Sequence, residues 1–140
     1  MHAAISTVAF RGIDTIPVKA QVHIVNGSLA MAIVGIADKA VAESLERLSA
    51  ALVSIGLALP PKHVDVNLAP ADVVKGGAHF DLPIALGLLV VMEAVGPDAV
   101  ANTLVLGELS LHGGIESVSG VLPGAKAAVA AGQDLICPAK

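Results

Sequence analysis

An α/β fold in a single domain is what the sequence predicts, on three observations. Segments with the two-residue alternation of strands come first, and from Asp38 they interleave with segments at helical spacing. The 140 residues are 55% hydrophobic, enough for one domain to bury a real core. That apolar content is mostly Ala, Val, Leu and Ile with 1% aromatic residues, and small or branched aliphatics pack well between layers.

Each element has its own signal. Ala3 to Phe10 alternates loosely and Arg11-Gly12-Ile13-Asp14 turns the chain. Val18 to Val25 alternates more clearly, and Asn26-Gly27 is a hairpin signal that predicts an antiparallel partner in Leu29 to Ile36, an apolar run expected to be buried on both faces or nearly so. From Asp38, a plausible N-cap, Val41, Leu45, Leu48, Leu52 and Ile55 recur at helical spacing until Gly56, with Glu43 and Arg47 as an i, i+4 pair on the other side. His63 to Leu68 alternates strictly and predicts a strand. A loop from Ala69 to about His79 leads into an almost wholly apolar helix, Phe80 to Val95. Thr103 to Leu109 reads as a strand, His112-Gly113-Gly114 as a turn and Ile115 to Val118 as a short returning strand. An Ala-rich helix, Leu122 to Ala131, ends at Gly132, and Leu135 to Pro138 opens another strand. An α/β unit would normally continue beyond Lys140, so residues 1–140 read as one domain of a longer protein.

Composition also excludes functions. A net charge of −4 with scattered basic residues gives no broad cationic face for phosphate backbones, and Phe10 and Phe80 are the only aromatics on which bases could stack. Mean hydropathy is high, +0.81. Yet the longest apolar run, Leu82 to Val95, contains Pro83 and Glu93 and falls short of the roughly 20 residues of a membrane span. With no secretion signal at the N-terminus, a cytoplasmic setting without membrane contact is expected. Cys137 stands alone, which rules out an internal disulfide and a cysteine-based zinc site, and reads as a small buried hydrophobe. Histidines 2, 23, 63, 79 and 112 have no ligand spacing, so no metal site is expected. Gly120-Val-Leu-Pro-Gly124-Ala-Lys126-Ala has the wrong spacing for a phosphate-binding loop and lacks the hydroxyl residue that would hold magnesium.

Polar residues gather in two places. In the loop Asn67 to Pro83, Asp72, Lys75, His79 and Asp81 stand between a strand and a buried helix, where α/β folds commonly place their sites. Lys75, His79 and Asp81 are candidates for an acid/base group; alternatively the segment is a glycine-containing connection with Asp81 capping the helix. Gly107 to Glu116 holds Glu108, Ser110, His112 and Glu116, and a hairpin accounts for it without a function.

These two loops carry a family resemblance. Val66-Asn-Leu-Ala-Pro-Ala-Asp72, Lys75 through His79-Phe-Asp-Leu-Pro-Ile-Ala-Leu-Gly87, and Gly107-Glu-Leu-Ser-Leu resemble the N-terminal domain of the ComM competence proteins, also labelled magnesium-chelatase-like AAA+ ATPases. Val8-Ala-Phe-Arg-Gly-Ile13 and Ile33-Val-Gly-Ile-Ala-Asp38 extend the likeness over essentially the whole chain. It implies the fold of the Lon proteolytic domain, within the ribosomal-protein domain 2-like superfold: a mixed sheet with helices and a left-handed βαβ crossover. It also implies that an AAA+ module follows in the intact protein.

By the same resemblance, Lys75-Gly-Gly-Ala-His79 lies over the Lon segment that contains the serine nucleophile, placing His79 at that position, while Leu122 and Gly124 stand where Lon has lysines. Histidine does not replace an acyl-forming hydroxyl and glycine cannot deprotonate anything, so no catalytic residue is expected. The resemblance implies a non-catalytic accessory domain of a homo-hexameric, ATP- and magnesium-dependent DNA motor (a branch-migration helicase of natural transformation and recombination), with no cofactor of its own. Its partners would be its own C-terminal AAA+ domain and, through the assembled ring, DNA. A cryptic Lon-like hydrolase using Lys75, His79 and Asp81 is one alternative; a magnesium-chelatase-related regulatory subunit is another.

Overall fold

A long antiparallel hairpin opens the chain. In the computed structural model, which describes residues 2–12, 14–27, 30–34, 43–57, 62–70, 75 and 77–138, β1 (His2–Arg11) pairs with β2 (Asp14–Val25) from His2 opposite His23 to Arg11 opposite Asp14. Then come β3 (Ala30–Val34), helix α1 (Ser44–Ser54), β4 (His63–Ala69), a 3-10 turn (Ala78–Phe80), helix α2 (Asp81–Val91), β5 (Thr103–Val105), the small hairpin β6 (Glu108–Leu109) and β7 (Ile115–Glu116), helix α3 (Val121–Ala131) and β8 (Asp134–Ile136). Six strands form one mixed sheet in the order β3-β4-β2-β1-β5-β8, with β6 and β7 in a separate pair. Among the described residues the chain forms the predicted mixed α/β architecture, with three helices.

Alternation decides which face is covered. Ala3, Ile5 and Ala9 of β1, Val18, Ala20 and Val22 of β2, and Val64, Val66 and Leu68 of β4 are buried on one face, against Leu82, Ile84, Ala85, Leu88 and Val91 of α2 and Leu48, Ala51 and Leu52 of α1. Full burial of a side chain such as Ile84 or Leu88 contributes about 1.5–3 kcal/mol. Among the described residues the opposite face is covered at one end, where α3 brings Ala128 onto Val8, Leu104 and Leu106. Further along that face His2, Gln21 and His23 are exposed, as period-two alternation requires of a half-covered sheet.

Four expectations need correction. Asn26-Gly27 does not close a β2–β3 hairpin: β4 inserts between them, antiparallel to β2 and parallel to β3. As a result β3 is an edge strand, with Val34 exposed, rather than one buried on both faces. The buried helix is shorter than Phe80 to Val95. It ends at Val91 because Glu93 adopts a left-handed φ of 64° and the amides of Ala94 and Val95 both turn back to the Leu89 carbonyl. Pro83 is tolerated because it lies in the first turn, where an amide has no intrahelical partner. Finally, Thr103 to Leu109 is two strands. At Gly107 the backbone leaves the sheet to pair with the start of α2, its amide donating to the His79 carbonyl at 3.1 Å and its carbonyl accepting from the Leu82 amide at 2.9 Å. The expected cap Asp38 lies outside the described residues; the other end of α1 closes near Gly56, where the Leu57 amide donates to the Leu52 carbonyl. Cys137 is half-buried just after β8.

One buried polar group is out of keeping with its surroundings. The Thr7 hydroxyl has no hydrogen-bond partner among the described residues, and the residue is 1% exposed. An unpaired buried hydroxyl carries its desolvation cost uncompensated, so the isosteric Thr7→Val is expected to raise stability by about 1 kcal/mol. Urea unfolding measures this; a less stable variant would mean the hydroxyl is paired.

Candidate functional site

The segment between β4 and α2 places its polar side chains by three separate means. Lys75 is fully buried, and its ammonium donates to the Pro70 carbonyl. To meet any other partner, this ammonium must first leave that carbonyl. Asp72 lies outside the described residues.

Asp81 is the most heavily bonded carboxylate among the described residues. It is fully buried and does not cap α2, whose N-cap is Phe80 without a side-chain bond. Its carboxylate instead accepts from the Ser44 hydroxyl, from Arg47 Nε at 2.6 Å and Nη2 at 3.0 Å, and from the Leu109 amide at 3.0 Å. Arg47 thus grips both oxygens, the bidentate geometry that suits guanidinium and carboxylate. These hydrogen bonds lead in raising the Arg47 pKa above its ordinary value; partial burial opposes the shift, and the charges of Asp81, Glu108 and Glu43 add to it. The predicted Glu43–Arg47 pair is present at 3.7 Å but is secondary to Asp81. One buried carboxylate therefore ties α1, α2 and β6 together.

His79 is held by the only two aromatic residues of the chain. Its ring lies 4.9 Å from that of Phe10 and 4.1 Å from that of Phe80. Nε2 is 2.8 Å from the Val8 carbonyl, which can only accept, so Nε2 carries the proton. On the other side of the ring Gly77, at φ 95°, approaches so closely that a Cβ there would stand 3.0 Å from Nδ1. A cleft of about 370 Å³ opens beside the ring, lined by Phe10, Gly77, His79, Glu108, Ser117 and Ser119.

Lys75, His79 and Asp81 therefore each reach a different partner, and none of these contacts joins one of the three to another. The two positions that the resemblance sets against Lon lysines carry no acid/base group either. Leu122 is exposed on α3, and Gly124 faces the sheet so tightly that a Cβ would stand 2.4 Å from Leu106 Cδ1. The second polar segment is a hairpin, as expected: Ser110 Oγ accepts from the amides of His112 and Gly114, and Ser54 donates to the His112 carbonyl. Ser117 and Ser119 had no signal in the sequence, since they reach the cleft only through the bend after β7.

The family model described as subunit ChlI of Mg-chelatase matches residues 20–140. The uncharacterized protein YifB of Salmonella typhimurium is 35% identical over 134 residues, covering 96% of this chain and 26% of the relative. Competence protein ComM of Haemophilus influenzae is 36% identical over 128 residues, 91% of this chain and 25% of its own. YifB of Escherichia coli is 33% identical over 132 residues, 94% and 26%. The chain thus spans about a quarter of the length of these relatives. It belongs to the magnesium-chelatase ChlI-subunit family and is homologous to the N-terminal quarter of ComM and YifB.

Proposed function

We propose that the chain is a non-catalytic accessory domain of a ComM-like AAA+ ATPase acting on DNA, serving ring assembly or DNA positioning in natural transformation and recombination. The observation that carries this reading is how the polar residues are used: Lys75, His79 and Asp81 are spent on separate structural partners, and position 124 has no room for a side chain. In this reading the fold is of the Lon proteolytic type with a left-handed crossover; the parallel neighbours β3 and β4 on either side of α1 supply the βαβ unit it requires. The intact protein is a cytoplasmic homo-hexamer whose AAA+ module takes ATP and magnesium, and DNA meets this domain through the ring. Among the described residues no helix is long and apolar enough to cross a membrane.

The test is DNA-stimulated ATP hydrolysis and branch migration by the intact protein with and without residues 1–140. Deletion should lower the DNA-stimulated rate by about tenfold or more, because contacts repeated around a ring combine through effective concentration. Unchanged stimulation would remove the accessory role. A second reading, a Lon-like hydrolase, draws on the cleft where His79 lies with Glu108, Ser117 and Ser119. Labelling of either serine by a serine-reactive probe would favour it over the first. The family match to a chelatase subunit supports a third, a regulatory role in metal insertion, which protoporphyrin titration of the intact protein addresses.

A further inference from the structure

A second cluster of polar side chains lies on the opposite side of the sheet from Asp81. The register of the first hairpin sets Ser6 directly across from Lys19. Lys19 Nζ donates to Ser6 Oγ at 2.6 Å, and Gln133 Nε2, arriving from the end of α3, donates to the same oxygen at 3.2 Å. With both acceptor positions of Ser6 filled, its own hydrogen must point elsewhere. Lys19 has two further N–H groups and Gln133 one. Several donors and one full positive charge thus surround a single hydroxyl.

These side chains border a groove of about 470 Å³ between the β1–β2 hairpin and α3. The rest of its wall is mainly apolar, with Val8, Pro17, Pro70, Leu104, Ala127 and Ala131. No carboxylate is among its described lining residues, although the chain carries a net charge of −4. We propose that this groove is a binding site for a small aliphatic monocarboxylate, with its oxygens on Lys19, Ser6 and Gln133 and its hydrocarbon body along the apolar wall. The size suits a small molecule, and a few convergent polar groups in an apolar cleft are what such sites present. One lysine matches the single negative charge of a carboxylate, and the apolar wall suits a hydrocarbon body that inorganic phosphate lacks.

Hexanoate is the probe, titrated into the isotope-labelled chain while amide resonances are followed. Saturable shifts should concentrate at Ser6, Lys19, Ala127, Ala131 and Gln133. Hexanamide, of the same shape without the charge, should bind about tenfold more weakly, and Lys19→Met should weaken hexanoate by a similar factor. Lys19 is exposed, so methionine keeps the stem and leaves the fold intact, with unshifted α1 and α2 resonances as the control. Ser6→Ala should weaken hexanoate without altering its stoichiometry. Equal binding of hexanamide and hexanoate, no effect of Lys19→Met, or the same shifts with inorganic phosphate at the same concentration would each overturn the proposal.

Discussion

Asp81→Ala is expected to cost about 3 kcal/mol or more of folding stability, measured as a fall in the urea midpoint at unchanged slope. The carboxylate is fully buried and accepts from four donors: the Ser44 hydroxyl, two guanidinium nitrogens of Arg47 and the Leu109 amide. Alanine takes this acceptor from all four, and the partly buried guanidinium of Arg47 loses the most. Arg47 can soften the loss, since its side chain is 17% exposed and Glu43 is already within 3.7 Å. For that reason the lower end of the range for a broken buried pair applies. Asp81→Asn should fall between wild type and alanine, because it keeps one acceptor oxygen and the shape but turns an amide donor toward other donors. A loss below about 1 kcal/mol for alanine would show that the network contributes no more than a surface ion pair does.

The same network shows what could and could not be read from sequence. The alternation of β1, β2 and β4 was legible because one face of the sheet is covered and the other largely open, so Val64, Val66 and Leu68 differ in kind from Asp65 and Asn67. The place of β3 was not legible. Asn26-Gly27 is a local signal, whereas the insertion of β4 beside β2 depends on packing across the whole sheet. Asp81 was legible as a first-turn acid, but its partners lie 37, 34 and 28 residues away, beyond any local rule. The setting of His79 was not legible, since the carbonyl that holds it comes from β1, 71 residues away. The Ser6–Lys19 pair follows from the hairpin register alone and was readable in principle; composition drew attention to the larger polar loops instead.

Gly124 provides the sharpest packing test. A Cβ at this position would stand 2.4 Å from Leu106 Cδ1, and Leu106 is fully buried, so the leucine cannot simply swing into solvent. Overpacking of this kind costs about 1–3 kcal/mol. Alanine also gains about 1 kcal/mol over glycine in a helix interior, so Gly124→Ala alone should be destabilising by a modest net amount. Gly124→Lys has no such limit. Its stem must pass between α3 and β5 or force the helix away, and it should unfold the chain or detach α3 rather than create a working base. Leu106→Ala alone leaves a cavity and is expected to cost about 2–5 kcal/mol. The two alanine substitutions together should cost less than their sum by about 1 kcal/mol, because the methyl at 124 enters the space the leucine vacates. Strict additivity in that double-mutant cycle would mean that α3 does not rest on Leu106 at this point. It would also reopen position 124 to a side chain, and with it the hydrolase reading of the cleft.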